Sequence, residues 1–239
     1  MKEVSLMTKS LSPQCAKCPS KVCCPPIGAT ESLPLEKAPK FCPMITSPEV
    51  MQKAFSEYQK PKVKEFARQA SIQEFECYEN TPEGMRTKNP RMLELIQFAH
   101  KMGYKKLGLA FCAGLPNEGR IVTEILENQG FEVVSTRCKT GSIPKEEIGI
   151  KPEEKIGGPE SCETMCNPIA QAEILNAEKV DMAIMLGLCM GHDTLFIKYC
   201  QVPMTVLAVK DRVTGHNPLA AIYLSSTYYS RLMSKPKPD

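Results

Sequence analysis

Apolar positions follow three rhythms along the chain. Residues 13–48 show none: eight of the twenty prolines and five of the twelve cysteines crowd there, with too little apolar content for a core. Such a stretch is either disordered or stapled, and its cysteines point to a staple. Residues 47–103 carry a helical period. Ser47-Pro48 reads as an N-cap followed by proline at the first helical position. Val63, Phe66, Ala67 and Ala70 then recur on one helical face, and Pro61 divides the stretch. Asn89-Pro90 opens another helix, which Gly103 closes.

From Tyr104 the rhythm becomes short apolar runs alternating with amphipathic ones. Residues 106–111, 131–136, 180–188 and 204–209 read as strands. Residues 117–129, 167–178, 194–200 and 217–233 read as helices, two of them opened by Asn-Pro, as at Asn89. Four strands separated by helices predict an α/β fold: a mostly parallel, four-stranded, Rossmann-like sheet with right-handed crossovers and helices on both faces. The expected organisation is a Cys-rich metal-binding segment (1–46), a helical region (47–103) and an α/β domain with a sheet-edge Cys/His site (104–239).

Composition narrows the function classes. The 239 residues hold 30 Lys+Arg against 27 Asp+Glu, a net charge of +3, too small to argue for nucleic acid or an anionic membrane. The longest nearly apolar run, Met182 to Gly191, is about half the roughly 20 residues a spanning helix needs. The N-terminus has no apolar signal region. Twelve cysteines without such a signal predict a cytoplasmic location, where thiols serve as metal ligands or catalysts more often than as disulfides.

Ligands of open α/β sheets bind beyond the carboxyl ends of the strands. Cys112 follows the first strand, Cys138 and Lys139 the second, Cys189 and His192 the third, and Lys210, Arg212 and His216 the fourth. The connection from Lys139 to Cys166 is long, has no clear element of its own, and ends in Cys162-x3-Cys166 before a helix start. Cys138, Cys162, Cys166 and Cys189 are therefore candidate ligands of zinc or an iron–sulfur cluster, with Cys112 a fifth member. The alternative is that Cys138 and Cys189 are small buried hydrophobes. Cys77 and Cys200 read as packing residues and His100 as structural.

The N-terminal Cys15-x2-Cys18-x4-Cys23-Cys24 run, with Cys42 following, is the better linear signal. A two-residue gap lets two thiolates chelate one ion, and spacing alone does not separate zinc from iron–sulfur. Glu118 and His192 are candidate acid/base groups; Lys139, Lys210, Arg212 and His216 form a candidate pocket for a small anion. Their plainer roles are helix capping, turn formation and surface charge. Nucleotide, zincin and serine-hydrolase motifs are absent from the sequence.

The blocks SCETMCNPIAQAEILN, GLCMGHDTLF and VKDRVTGHNP resemble those of an uncharacterised family of cysteine-rich proteins, mainly from anaerobic bacteria and archaea. AFCAGLPNEGR, FEVVSTRCKTG and the N-terminal C-x2-C region are similar to it too, so the resemblance covers most of the chain. That family is a domain of unknown function whose members are commonly labelled metal-binding. The resemblance implies metal binding, an anaerobic host and an intracellular location; it implies no reaction.

Three functions remain open. The first is an iron–sulfur protein with one or two 4Fe–4S clusters, a small anionic ligand, a redox partner protein and a redox or lyase-type role. The second is a non-enzymatic zinc-binding module, metal carrier or redox sensor. The third is thiol or persulfide chemistry at Cys189. Iron–sulfur is favoured over zinc because two cysteine clusters exceed what one structural zinc requires.

Overall fold

The computed structural model describes residues 11–235. The expectation drawn from the first residues, that no signal region precedes the fold, lies largely outside them. The chain divides into two compact units, Met1–Arg68 and Gln69–Asp239.

In the first unit, Cys15–Lys17 forms one 3-10 turn and Leu35–Lys37 another. Two helices follow, α1 (Pro43–Thr46) and α2 (Pro48–Tyr58), each with proline at its start. The unit boundary falls within α3 (Pro61–Glu76).

The second unit continues with an antiparallel hairpin, β1 (Tyr78–Thr81) and β2 (Gly84–Thr87). This corrects the expectation that residues 47–103 are helical. Pro82-Glu83-Gly84 is a turn signal, Gly84 takes φ +117, and Arg86 pairs with Glu79 across the strands at 2.8 Å. Then come α4 (Arg91–Lys101), β3 (Lys106–Phe111), α5 (Pro116–Asn128), β4 (Glu132–Arg137), α6 (Pro168–Ala177), β5 (Met182–Leu186), α7 (His192–Tyr199), β6 (Met204–Ala208) and α8 (Pro218–Tyr223).

The four later strands form one parallel sheet in the order β4-β3-β5-β6. The order reverses direction after β3, so right-handed crossovers put α5 on one face and α6 and α7 on the other. Leu107, Leu109 and Ala110 of β3 and Met182 to Leu186 of β5 are buried, as central strands covered on both faces must be. Leu95, Ile96 and Ala99 of α4, Val122 and Leu126 of α5, Leu175 of α6 and Phe196 of α7 complete the core. Gly108 is glycine for packing: a Cβ there would stand 2.8 Å from Leu175 Cδ1.

Helix starts differ from the uniform Asn-Pro reading. Only Asn167 caps as expected, its side chain accepting from Ala170 N–H at 3.1 Å. Asn89 instead donates to Gln97 Oε1 at 2.9 Å and to the Glu76 carbonyl, tying α4 to the end of α3. Asn217 precedes Pro218 without a side-chain cap. The last helix is shorter than expected: α8 stops at Tyr223, turns follow, and Ser230–Met233 is 3-10.

Candidate thiolate site

The site begins with strand register. Phe111 pairs with Arg137 in the β3–β4 ladder, so Cys112 and Cys138 are the next register partners. The ladder continues at both: Cys138 N–H donates to the Phe111 carbonyl at 3.0 Å, and Cys112 N–H to that of Leu186 at 3.0 Å. Beyond the strands, backbone amides turn onto the sulfurs. Ala113 N–H lies 3.1 Å from Cys138 Sγ and Gly114 N–H 3.4 Å from Cys112 Sγ.

Residues 139–166 deliver the third thiol. The sequence reading gave this connection no element of its own; it contains 3-10 turns at Lys145–Ile148 and Pro152–Glu154 and folds back on itself. Thr164 bridges Pro144, Lys145 N–H donates to the Glu163 carbonyl at 3.0 Å, and Met165 N–H to that of Ile143 at 2.8 Å. A Lys145–Glu163 ion pair fastens the two limbs. Asn167 N–H then donates to the Cys138 carbonyl at 2.7 Å, which sets Cys166 beside Cys138.

Cys138 is the thiol that neighbours both of the others: Cys112 first, then Cys166, then burial push its thiol up. Cys112 is pulled down to about 4, first by the Cys138 hydrogen bond, then by Gly114 N–H and Lys210. Cys166 is pulled down to about 5, again first by Cys138, then by the charges of His192 and Lys139. Cys138 is the thiol common to both contacts, with Cys112 and Cys166 on either side of it. Gln171 supports it from below. Fully buried on α6, its Nε2 donates to the Thr136 carbonyl at 2.8 Å and the Phe111 carbonyl at 3.2 Å, clamping the ends of β4 and β3. Its role was missed in the sequence, where the signal was one amide in the apolar run PIAQAEIL.

Other sequence candidates fall elsewhere. Cys162 is exposed on the excursion. Cys189 is half-buried, and Arg212 Nη2 donates to its sulfur at 3.1 Å. His192, at the first turn of α7, has a buried Nδ1 without a hydrogen-bond partner. His216 sits at φ +66, with Nδ1 2.9 Å from the Val209 carbonyl and 3.2 Å from Asp211 N. Glu118 is exposed in the first turn of α5. Of the proposed anion-pocket cations, Lys139 donates to the Thr164 carbonyl, Lys210 bonds Cys112 and Arg212 bonds Cys189, so each has a partner in the protein. The packing readings fit their surroundings: Cys77 is buried and donates to the Gln73 carbonyl at 3.0 Å, Cys200 is half-buried against the core, and His100 stacks on Phe131 at 4.5 Å.

In the first unit, Cys15, Cys23 and Cys24 are exposed and Cys42 is buried. Cys18 N–H donates to the Cys15 carbonyl at 3.1 Å, and the backbone amides of Lys21 and Ser20 pull the Cys18 thiol down. Among the described residues, no three Cys, His, Asp or Glu side chains form a group that could hold a metal ion. Nor is any of their helices long and apolar enough to cross a membrane.

Comparison with known sequences adds two findings. The model of a family described as "Protein of unknown function (DUF1847)" matches residues 42–207. The span includes Cys112, Cys138, Cys166, Cys189 and His192, and leaves Cys15 to Cys24 outside. The "Uncharacterized protein MJ0455" of Methanocaldococcus jannaschii is 42% identical over 189 residues, 79% of this chain and 90% of that protein.

Proposed function

The chain belongs to DUF1847, a family of proteins of unknown function, and we propose that it is a metal-binding protein whose principal centre uses Cys112, Cys138 and Cys166. The observation that carries this reading is the convergence of these thiols from three separate loops, joined through Cys138. The donor chemistry suits a soft ion. Thiolates hold zinc and iron–sulfur clusters alike, and the unpartnered nitrogen of His192 is a further donor beside Cys166. The contacts are pairwise and do not close into a group of three, so binding on this reading includes a rearrangement around Cys138. Lys210 and Lys139 direct their charge at the thiolates, which favours deprotonated ligands.

An iron–sulfur cluster is the first candidate and zinc the second, with Cys15, Cys18, Cys23 or Cys24, and Cys42 as a separate N-terminal set. A reducing cytoplasm is the compartment that keeps all of these thiols free. The test is anaerobic purification followed by metal and acid-labile sulfide analysis with a visible spectrum. A brown protein with about four or eight irons and matching sulfide supports clusters. Zinc without sulfide replaces them with a zinc centre. A protein that takes up neither metal after anaerobic reconstitution overturns the proposal.

A further inference from the structure

We propose that two copies of this chain pair through the open edge of β4, antiparallel about a two-fold axis at Ser135, and so join two four-stranded sheets into one. The inference concerns assembly and does not depend on the metal-binding reading.

The two edges of the sheet differ. Strand order leaves β4 and β6 outermost. The outer side of β6 is closed: Arg91 Nε donates to the Val206 carbonyl at 2.7 Å and Arg91 Nη2 to the Thr205 hydroxyl at 2.9 Å. Among the described residues no strand lies beyond β4, and β4 has no proline, lysine or bulge to blunt it. Glu132 N–H donates to the Lys105 carbonyl and Cys138 N–H to that of Phe111, so the even-numbered residues turn their amides toward β3. Backbone direction alternates along a strand, so Val133, Ser135 and Arg137 turn theirs outward. Thr140 donates to the Arg137 carbonyl; the Arg137 amide and both groups of Val133 and Ser135 stay open to a new strand. In the proposed pairing Ser135 exchanges both bonds with its counterpart, and each Arg137 N–H meets the Val133 carbonyl of the second copy.

Charge selects a second copy as the occupant. Exposed Ser135 and Arg137 share a groove with Gly119, Arg120, Thr123 and Glu127 of α5, which runs antiparallel to the strands. One end of the groove is cationic, with Arg120 and with Arg137 over the Phe111 ring at 5.8 Å; the other is anionic, with Glu127. Arg120 pairs with Glu124 at 3.1 Å, and among the described residues neither Arg137 nor Glu127 is in an ion pair. Phe111 sets the levels. It is the register partner of Arg137, and a Cβ on Gly119 would stand 3.0 Å from its ring, so Gly119 is level with Arg137. Ser135 lies two residues back, about 6.6 Å, which is about four residues of helix, so it is level with Thr123 and Glu124. Arg120 and Glu127 are equally far from that level. A two-fold at Ser135 therefore sets Arg120 and Arg137 of each copy against Glu127 of the other. A second copy supplies the strand, the facing helix and the reversed order of charge together.

The test is sedimentation velocity of the full-length protein under reductant, up to about 100 µM, with amide exchange measured at both ends of the concentration range. Wild type is expected to sediment as a dimer whose concentration-dependent protection falls on the Val133, Ser135 and Arg137 amides. Ser135→Pro removes an outward amide that β3 does not use, a change edge strands tolerate, and should abolish the dimer. Glu127→Arg leaves the backbone intact and should raise the dissociation constant at least tenfold. A monomer throughout the range, protection that falls elsewhere, or a dimer unchanged in folded Ser135→Pro overturns the proposal. If Ser135→Pro fails to fold, the wild-type exchange map and Glu127→Arg decide. A dimer that chelator dissolves and that leaves the β4 amides unprotected is bridged by metal and also overturns it. Metal content itself reports on the metal reading alone.

Discussion

Cys112 and Cys138 are register partners one step past the ends of β3 and β4, with Cys138 N–H bonded to the Phe111 carbonyl at 3.0 Å. Adjacent strands lie about 4.8 Å apart, so two side chains at one register position share their surroundings by construction. Cys138 is the sulfur common to both pairwise contacts, and its removal should affect any metal bound there most. Cys138→Ala is expected to lose the sheet-edge metal, while Cys162→Ala, altered at an exposed position, retains it. Metal-to-protein ratios after anaerobic reconstitution check this; equal losses in both variants would place the centre elsewhere.

Gln171 holds the strand ends under the thiol pair. Replacing it with Met keeps the volume but leaves the Thr136 carbonyl without its 2.8 Å donor. Removing one partner of a buried hydrogen bond costs about 1–3 kcal/mol. Urea unfolding should show that loss, and alkylation of Cys112 and Cys138 should accelerate as β3 and β4 separate. Unchanged stability and reactivity would remove Gln171 from the support of the site.

Glu163 should make the excursion acid-sensitive. Lys145, then the Gly157 amide and the Ser161 hydroxyl, hold its carboxyl down at about 2. A carboxyl depressed in the folded state stabilises it fully above the ordinary value of about 4.3, and that contribution is lost as pH falls through about 2. Amide exchange across residues 143–166 is therefore expected to quicken relative to the core as pH drops from 5 to 2, after correction for intrinsic rates. Glu163→Gln should show roughly tenfold faster exchange there already at pH 6 and little further pH dependence.

Gly108 permits the approach of α6 to the central strand. In Gly108→Ala the new Cβ would stand 2.8 and 2.9 Å from the two Leu175 methyl carbons and 3.0 Å from Val180 Cγ2. Overpacking of this kind costs about 1–3 kcal/mol. Thermal or urea unfolding should show it, while the thiols at the far end of the strand keep their alkylation rates. A neutral substitution would mean that Leu175 moves aside freely.

Much of the architecture was legible because periodicity reports directly on burial. Lys106–Phe111 and the apolar run before Gly187 read as covered strands from composition alone, and both are central in the sheet. The β1–β2 hairpin was missed because its eight strand residues are polar or isolated and lack a sustained alternation; only the Pro82-Glu83-Gly84 turn marked it. The three Asn-Pro pairs read alike in sequence, yet Asn89 donates to the Glu76 carbonyl at the end of α3 and does not cap α4.

The candidate site divides the same way. That cysteines would gather at the carboxyl edge followed from strand order in sequence and the rule for α/β sheets. Which cysteines would meet depended on register and on the path of a connection of more than two dozen residues. Cys162 and Cys166 are four residues apart, but only Cys166 lies beside Cys138, because the Met165-to-Ile143 and Asn167-to-Cys138 hydrogen bonds position that end of the excursion. Cys112, a fifth member in the sequence reading, joins Cys138 because β3 lies beside β4 in the sheet. The parallel sheet, its covering helices and the edge at which the thiols collect were readable from local burial patterns, which depend on residues close in the chain. The partnership of the thiols follows from hydrogen bonds between residues distant in the chain, such as Asn167 to Cys138, which no local pattern encodes.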